Sequence, residues 1–261
     1  MKKIKIAATK IARLSAVLAS VVLASACGGG FDTTPSATAA TSTAQGLWIG
    51  TTNTGRTATG IVLSDGTFYV LYSLAGVGNA TTIAGAVQGT GASNSGTFSS
   101  SNARDFNLES LVVLPATVSA MYVPKQSFNA TITYAAGAPV TTTGTYDADY
   151  ETVPSLATLA GTYTGQAVTL AGVVANATLT VSTSGAVSGL SAGGCAATGS
   201  ASPRTDGNAY NMTITFGGGT CAFANQTLSG IGYFNSVAKR LYAAAPNAAR
   251  DDGVLFVGTK P

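Results

Sequence analysis

From Gly46 onward the chain is written in short runs where apolar and polar residues alternate, cut by glycine, asparagine, aspartate and serine. A side-chain period of two is the signature of a strand with one face inside. Gly46-Leu47-Trp48-Ile49-Gly50 opens the ordered part. Gly60 to Ser73 predicts a hairpin turned at Ser64-Asp65-Gly66, with Phe68, Val70 and Tyr72 on one face. Gly85 to Gly96 predicts a strand and a loop. Asn102 to Leu108 predicts a short helical turn with Asn102 as its N-cap. Leu111 to Val123 predicts one or two strands interrupted at Pro115. Phe128, Ala130, Ile132 and Tyr134 share the inward face of the next strand, Gly137 turns the chain, and Thr141 to Tyr150 is a further strand.

The pattern then returns. Tyr210-Asn211-Met212-Thr213-Ile214-Thr215-Phe216 echoes Phe128-Asn129-Ala130-Thr131-Ile132-Thr133-Tyr134, and Gly161-Thr162-Tyr163-Thr164-Gly165 echoes the Trp48 segment. Leu179, Val181, the Ser184-Gly185 turn and Val187 echo the first hairpin, and Leu228 to Phe234 echoes Thr141 to Tyr146. Matched order implies two related β units, split near Val153-Pro154-Ser155: residues 46–152 and 153–261, the first longer mainly between Gly85 and Lys125. The expected fold is all-β, each unit a small antiparallel barrel or barrel-like sandwich, because closing a sheet removes its exposed edges.

Ahead of the strands lies a different kind of sequence. Lys2, Lys3, Lys5, Lys10 and Arg13 precede an apolar or small run from Ser15 to Ala26, about 12 residues long. That is too short to span a bilayer and has the form of a secretory signal peptide over residues 1–26. Leu23-Ala24-Ser25-Ala26-Cys27 resembles the lipobox of bacterial lipoproteins, with Leu23 one place earlier than that family prefers. The resemblance implies a diacylglyceryl thioether on Cys27, cleavage before it, and outer-membrane sorting because Gly28 follows. Ala24-Ser25-Ala26 also reads as an ordinary Ala-x-Ala cleavage site that would release a soluble protein. Residues 28–45 are Gly, Thr, Ser, Ala and Pro with almost no large apolar side chains, the composition of a flexible tether reaching roughly 20–25 Å.

The chain carries a formal charge of +3, and removing the five signal-peptide cations leaves −2. The remaining eight cations are scattered, which argues against nucleic-acid binding. With no histidine present, histidine triads and histidine-ligated zinc are excluded. With Cys27 lipidated, Cys195 and Cys221 remain as a disulfide pair in an oxidising compartment; the competing reading is two separate buried thiols. Asp147, Asp149 and Glu151 alternate, so on a strand all three project from one face, as a calcium candidate, as paired acids for a hydrolase, or as a solvated edge. Trp48, Tyr69, Tyr72, Tyr122, Tyr163, Tyr210, Tyr233 and Tyr242 either fill barrels or form a contact patch.

The two-unit plan on a lipidated tether resembles the surface lipoproteins that include transferrin-binding protein B and the factor H-binding proteins. The Gly-x-Trp/Tyr-x-Gly openings and Ala103-Arg104-Asp105-Phe106 carry that resemblance. The expectation is a lipid-anchored outer-membrane lipoprotein, not an enzyme, without a cofactor. It would act as a binding or structural module with a protein or glycan partner. The rivals are a transmembrane β-barrel, favoured by low charge and alternation, and an envelope hydrolase.

Overall fold

The computed structural model describes residues 43–77 and 82–261. The signal segment, Cys27 and residues 28–42 of the tether lie outside them.

Nine strands build the first barrel: β1 Gly46–Thr52, β2 Thr57–Val62, β3 Thr67–Ser73, β4 Ile83–Thr90, β5 Ala92–Asn94, β6 Thr97–Asn107, β7 Val112–Val123, β8 Ser127–Tyr134 and β9 Val140–Asp147. Each pairs antiparallel with its neighbour in the order β4-β3-β2-β1-β9-β8-β7-β6-β5, and a β4–β6 pairing closes the sheet on itself. The short β5 only extends β6. The expected hairpin turn has Gly66 at φ 80°, where an added Cβ would stand 2.1 Å from the Gly91 carbonyl oxygen, so only glycine fits.

The second barrel is a simple eight-strand meander: β10 Gly161–Thr169, β11 Gly172–Val181, β12 Ala186–Leu190, β13 Ala196–Pro203, β14 Tyr210–Phe216, β15 Thr227–Asn235, β16 Arg240–Pro246 and β17 Gly253–Thr259, closed by β10 against β17. A 3₁₀ turn at Ala148–Glu151 and a single helical turn, α1 at Leu156–Leu159 capped by Ser155, join the two.

Three expectations need correction. Asn102 to Leu108 is not helical but lies on β6. Pro115 does not interrupt a strand; β7 runs through it, with Pro115 opposite Arg104 beside a β-bulge, where a missing N–H is tolerated. The echoing strands β8 and β14 hold different places, seventh and fifth around their barrels when β5 is left aside. The openings do correspond, β1 to β3 with β10 to β12.

Inside, each barrel is plugged at one end. Trp48, Phe68, Phe98 and Phe128 make a ring cluster at centroid distances of 5.4–5.7 Å, with Tyr122 behind Phe128. The Trp48 indole donates to the Ala44 carbonyl. In the second barrel Leu159, Tyr163, Tyr210, Phe234 and Leu241 fill the equivalent end, and Lys260 donates to the Thr158 and Ala160 carbonyls over the Phe234 ring.

A separate apolar layer joins the barrels. Leu47, Ile61 and Tyr69, outward-facing on β1 to β3, meet Ile231, Tyr233, Tyr242, Leu255 and Val257, with Tyr150 between. Elsewhere the outer walls are hydroxyl-rich, and the facing pairs Thr162–Thr180, Ser200–Thr213 and Thr215–Thr227 hydrogen-bond across strands. A spanning barrel needs the reverse, an apolar band outside. Alternation that looked compatible with a transmembrane barrel belongs to walls with their apolar face inward.

Candidate ligand-binding site

The first barrel is a vessel with an aromatic floor and an open rim. Strand direction sets the rim: β1 ends there, β2 starts there, and the same alternation brings β3, β4, β6, β7, β8 and β9 to it. Val70, Val87, Ile132 and Ala58 line the wall. Thr52, Arg56, Tyr72, Asp105, Asn107 and Tyr134 stand higher, around a cavity of about 190 Å³. Below it the same wall residues enclose a smaller space of about 60 Å³ above Trp48, Phe68 and Phe128.

Asp105 is the unusual member. It is 3% exposed, on a strand whose residues Phe98 and Ser100 are also buried. Counting by two from Phe98 would send Asp105 outward. A β-bulge between Ser100 and Ala103 adds one residue opposite Val118 to Ala116 and flips the parity, so that Asp105 enters the lumen. Asn102 holds the bulge. Its Oδ1 accepts from the Thr90 amide at 2.9 Å, and its Nδ2 donates to the Thr90 hydroxyl at 2.7 Å.

Two phenols meet the carboxylate, one per oxygen: Tyr72 donates to Oδ1 at 2.7 Å and Tyr134 to Oδ2 at 2.8 Å. Tyr72 gains its room from Gly85 on β4, directly opposite, where an added Cβ would lie 2.1 Å from the phenol oxygen. Arg56 stacks 5.4 Å above the Tyr72 ring, donates to the Ser73 carbonyl at 2.9 Å and pairs with Glu109. Burial pushes the Asp105 carboxyl up from its ordinary value; the two phenols and Arg56 recover only part of that. Burial and the nearby carboxylate push the Tyr72 and Tyr134 phenols up as well, so both stay protonated donors.

The second barrel has an apolar cavity of about 100 Å³, lined among others by Leu179, Met212, Ile214, Ala243 and Phe256. The Cys195–Cys221 disulfide joins the β12–β13 and β14–β15 loops at its mouth.

The acids Asp147, Asp149 and Glu151 do not share a strand face. The strand ends at Asp147, the next residues turn into a 3₁₀ helix, and the period of two is lost. Asp147 accepts from the Asp149 amide, Asp149 from the Tyr233 hydroxyl at 2.7 Å, and Glu151 pairs with Lys125 and Tyr146. Among the described residues no group of three or more acids, cysteines or histidines is placed to hold a metal ion, and the calcium and paired-acid arrangements lose their geometric basis. Of the eight aromatics, Trp48, Tyr122, Tyr163 and Tyr210 fill barrels, while Tyr69, Tyr233 and Tyr242 fill the layer between them. Tyr72 alone serves the rim.

Sequence reading missed Arg56 and Tyr134 as rim residues and met Asp105 only as part of a resembling segment. The available signal was an aspartate next to Phe106 inside a strand-length run, where an unpaired charge is costly.

No family model matches the chain, and no curated protein matches it. Among solved structures it is similar to a crystal structure of a single-residue mutant of the vaccine antigen transferrin binding protein B from Haemophilus parasuis, at 8% identity and a TM-score of 0.28. That match covers 78% of this chain and spans 65% of the length of the other.

Proposed function

We propose that this protein is a non-catalytic binding module of the bacterial cell envelope, held at the outer membrane by acyl chains on Cys27, with the first barrel as its binding vessel. The observation that carries the reading is the build of that barrel: a closed aromatic floor, an apolar wall and an open rim around a buried carboxylate. Small barrels of eight strands have room for one small ligand. A protein or glycan partner, expected from sequence, would have to present a group of that size. The acids a hydrolase would need are committed to three different structural contacts.

The anchor rests on the basic head, the short apolar run and the small residues before Cys27. Several acyl chains give stable attachment where one does not, at about 0.8 kcal/mol per buried methylene. Cys27→Ser should move the protein from the membrane to the soluble fraction and abolish the lipid mass on the mature N-terminus. A native mature protein whose Cys27 thiol is bare would overturn the anchor. For the vessel, benzyl alcohol should shift the methyl resonances of Val70, Val87 and Ile132. If those methyls do not move, the lumen is packing space and the binding reading fails.

A further inference from the structure

We infer that the first barrel takes a small organic cation, a primary amine carrying one ring-sized apolar group, with Asp105 as its counter-charge. The inference rests on the reading of that barrel as a ligand-binding vessel and names what it holds.

Charge is the first argument. Asp105 is buried, and both side chains that donate to it are neutral phenols. The nearby cation, Arg56, is balanced by Glu109 and donates to the Ser73 carbonyl. With Asp105 as the carboxylate that accepts from two phenols, Arg56, Glu109 and Asp105 together leave one negative charge at the rim. A buried carboxylate whose hydrogen-bond donors are all neutral is costly, and an ammonium entering the cavity is the group that would relieve that cost.

Hydrogen-bonding capacity is the second. A carboxylate offers about four acceptor sites over its two oxygens. The phenols occupy one on each oxygen, which leaves capacity for the donors of an ammonium. A carboxylate or phosphate ligand would meet the same oxygens with repulsion.

Size and lining are the third. About 190 Å³ exceeds the roughly 150 Å³ of an apolar cavity that binds benzene. Below Asp105 the wall is aliphatic, from Val70, Val87 and Ile132, and the Tyr72 and Tyr134 rings flank the carboxylate. A ring can settle among the aliphatic residues while its amine stays level with Asp105.

The test compares phenethylamine with its neutral isostere 2-phenylethanol at pH 7, on the whole mature chain, by calorimetry and by methyl resonances of the lumen. The amine should bind roughly ten- to hundredfold more tightly than the alcohol, the scale of a hydrogen bond to a charged group. Asp105→Asn should bring the two close to parity while keeping the side-chain shape. Equal binding of amine and alcohol by the native protein overturns the cation inference but leaves the vessel intact. Lumen methyls that respond to neither, nor to benzyl alcohol, overturn both. Should Asp105→Asn fail to fold, the Asp105 carboxyl carbon resonance of the native protein serves instead. Saturating phenethylamine should hold Asp105 ionised to lower pH, and an unchanged titration overturns the inference.

Discussion

Burial works against the charge of Asp105, and the direction of that effect sets how the fold's stability should vary with pH. Burial raises its carboxyl above the ordinary value. A raised carboxyl takes up a proton more readily in the folded chain than in the unfolded one. Its penalty is therefore absent below the unfolded value, grows as pH rises toward the folded value, and stays constant above it. The titratable groups around it are Tyr72, Tyr134 and the Arg56–Glu109 pair. Asp105→Asn keeps the shape and removes the charge. At pH 7 it should stabilise the protein by about 1 kcal/mol, the scale of stability given up for a functional residue, and raise the melting midpoint by roughly 2–4 °C. At pH 3.5 the gap should close. A variant that melts lower than the native protein by the same amount at both pH values would show that the carboxylate is a net support, its phenol bonds outweighing its burial.

At the scale of the element, the bulge in β6 decides what the rim can do. The extra residue between Ser100 and Ala103 re-aims the strand, and Asn102 secures it through Thr90. Asn102→Ala should cost about 1 kcal/mol, the net worth of a lost hydrogen bond, and should speed hydrogen exchange at the Thr90 amide. Exchange there as slow as in the native protein would mean the bulge is held by its backbone alone. The same bulge explains what the sequence could and could not reveal. Strands with one wet face, such as β8 with Phe128, Ala130, Ile132 and Tyr134 inside, are legible because their alternation is unbroken. The polar, locally bonding character of Asn102 is also visible, but a helix N-cap and a bulge use the same chemistry, and only pairing with β4 and β7 tells them apart. Beyond a bulge the inside–outside count reverses, so Asp105 cannot be placed in the lumen from its position alone. The run Phe68-Tyr69-Val70-Leu71-Tyr72 carried a further signal: a strand apolar at nearly every position is covered on both faces. Phe68, Val70 and Tyr72 face the first barrel's interior, and Tyr69 faces the second barrel.

That second covering packs the two barrels against each other through one apolar layer. Besides the shared apolar layer, Arg250 of the last turn donates to the Gln88 and Asn102 carbonyls at 2.8 and 2.9 Å, reaching the strands that form the rim. Asp206, in the β13–β14 turn, accepts from the amide and hydroxyl of Ser64 in the β2–β3 turn at 3.1 and 2.6 Å, and from Arg204. Burial works to raise the Asp206 carboxyl, but Arg204 and Ser64 outweigh it and hold it at about 2. A depressed carboxyl stabilises the folded state fully above its unfolded value, and that support is lost as pH falls from about 4 toward 2. Its full worth is about 2 kcal/mol, shared between the ion pair within the second barrel and the bonds to the first. The chain's single tryptophan, Trp48, lies in the plug of the first barrel, so its fluorescence reports on a barrel that does not contain Asp206. If the barrels unfold together, Asp206→Asn should lower the Trp48 midpoint at pH 7, and most of that difference should be gone near pH 2, where the native carboxyl is about half neutral. Ser64→Ala should produce the smaller part of that loss, about 1 kcal/mol, and little more when combined with Asp206→Asn. A Trp48 transition indifferent to Asp206 would mean that the barrels melt independently, and that the Ser64–Asp206 contact is an adhesion of finished bodies rather than part of one cooperative structure.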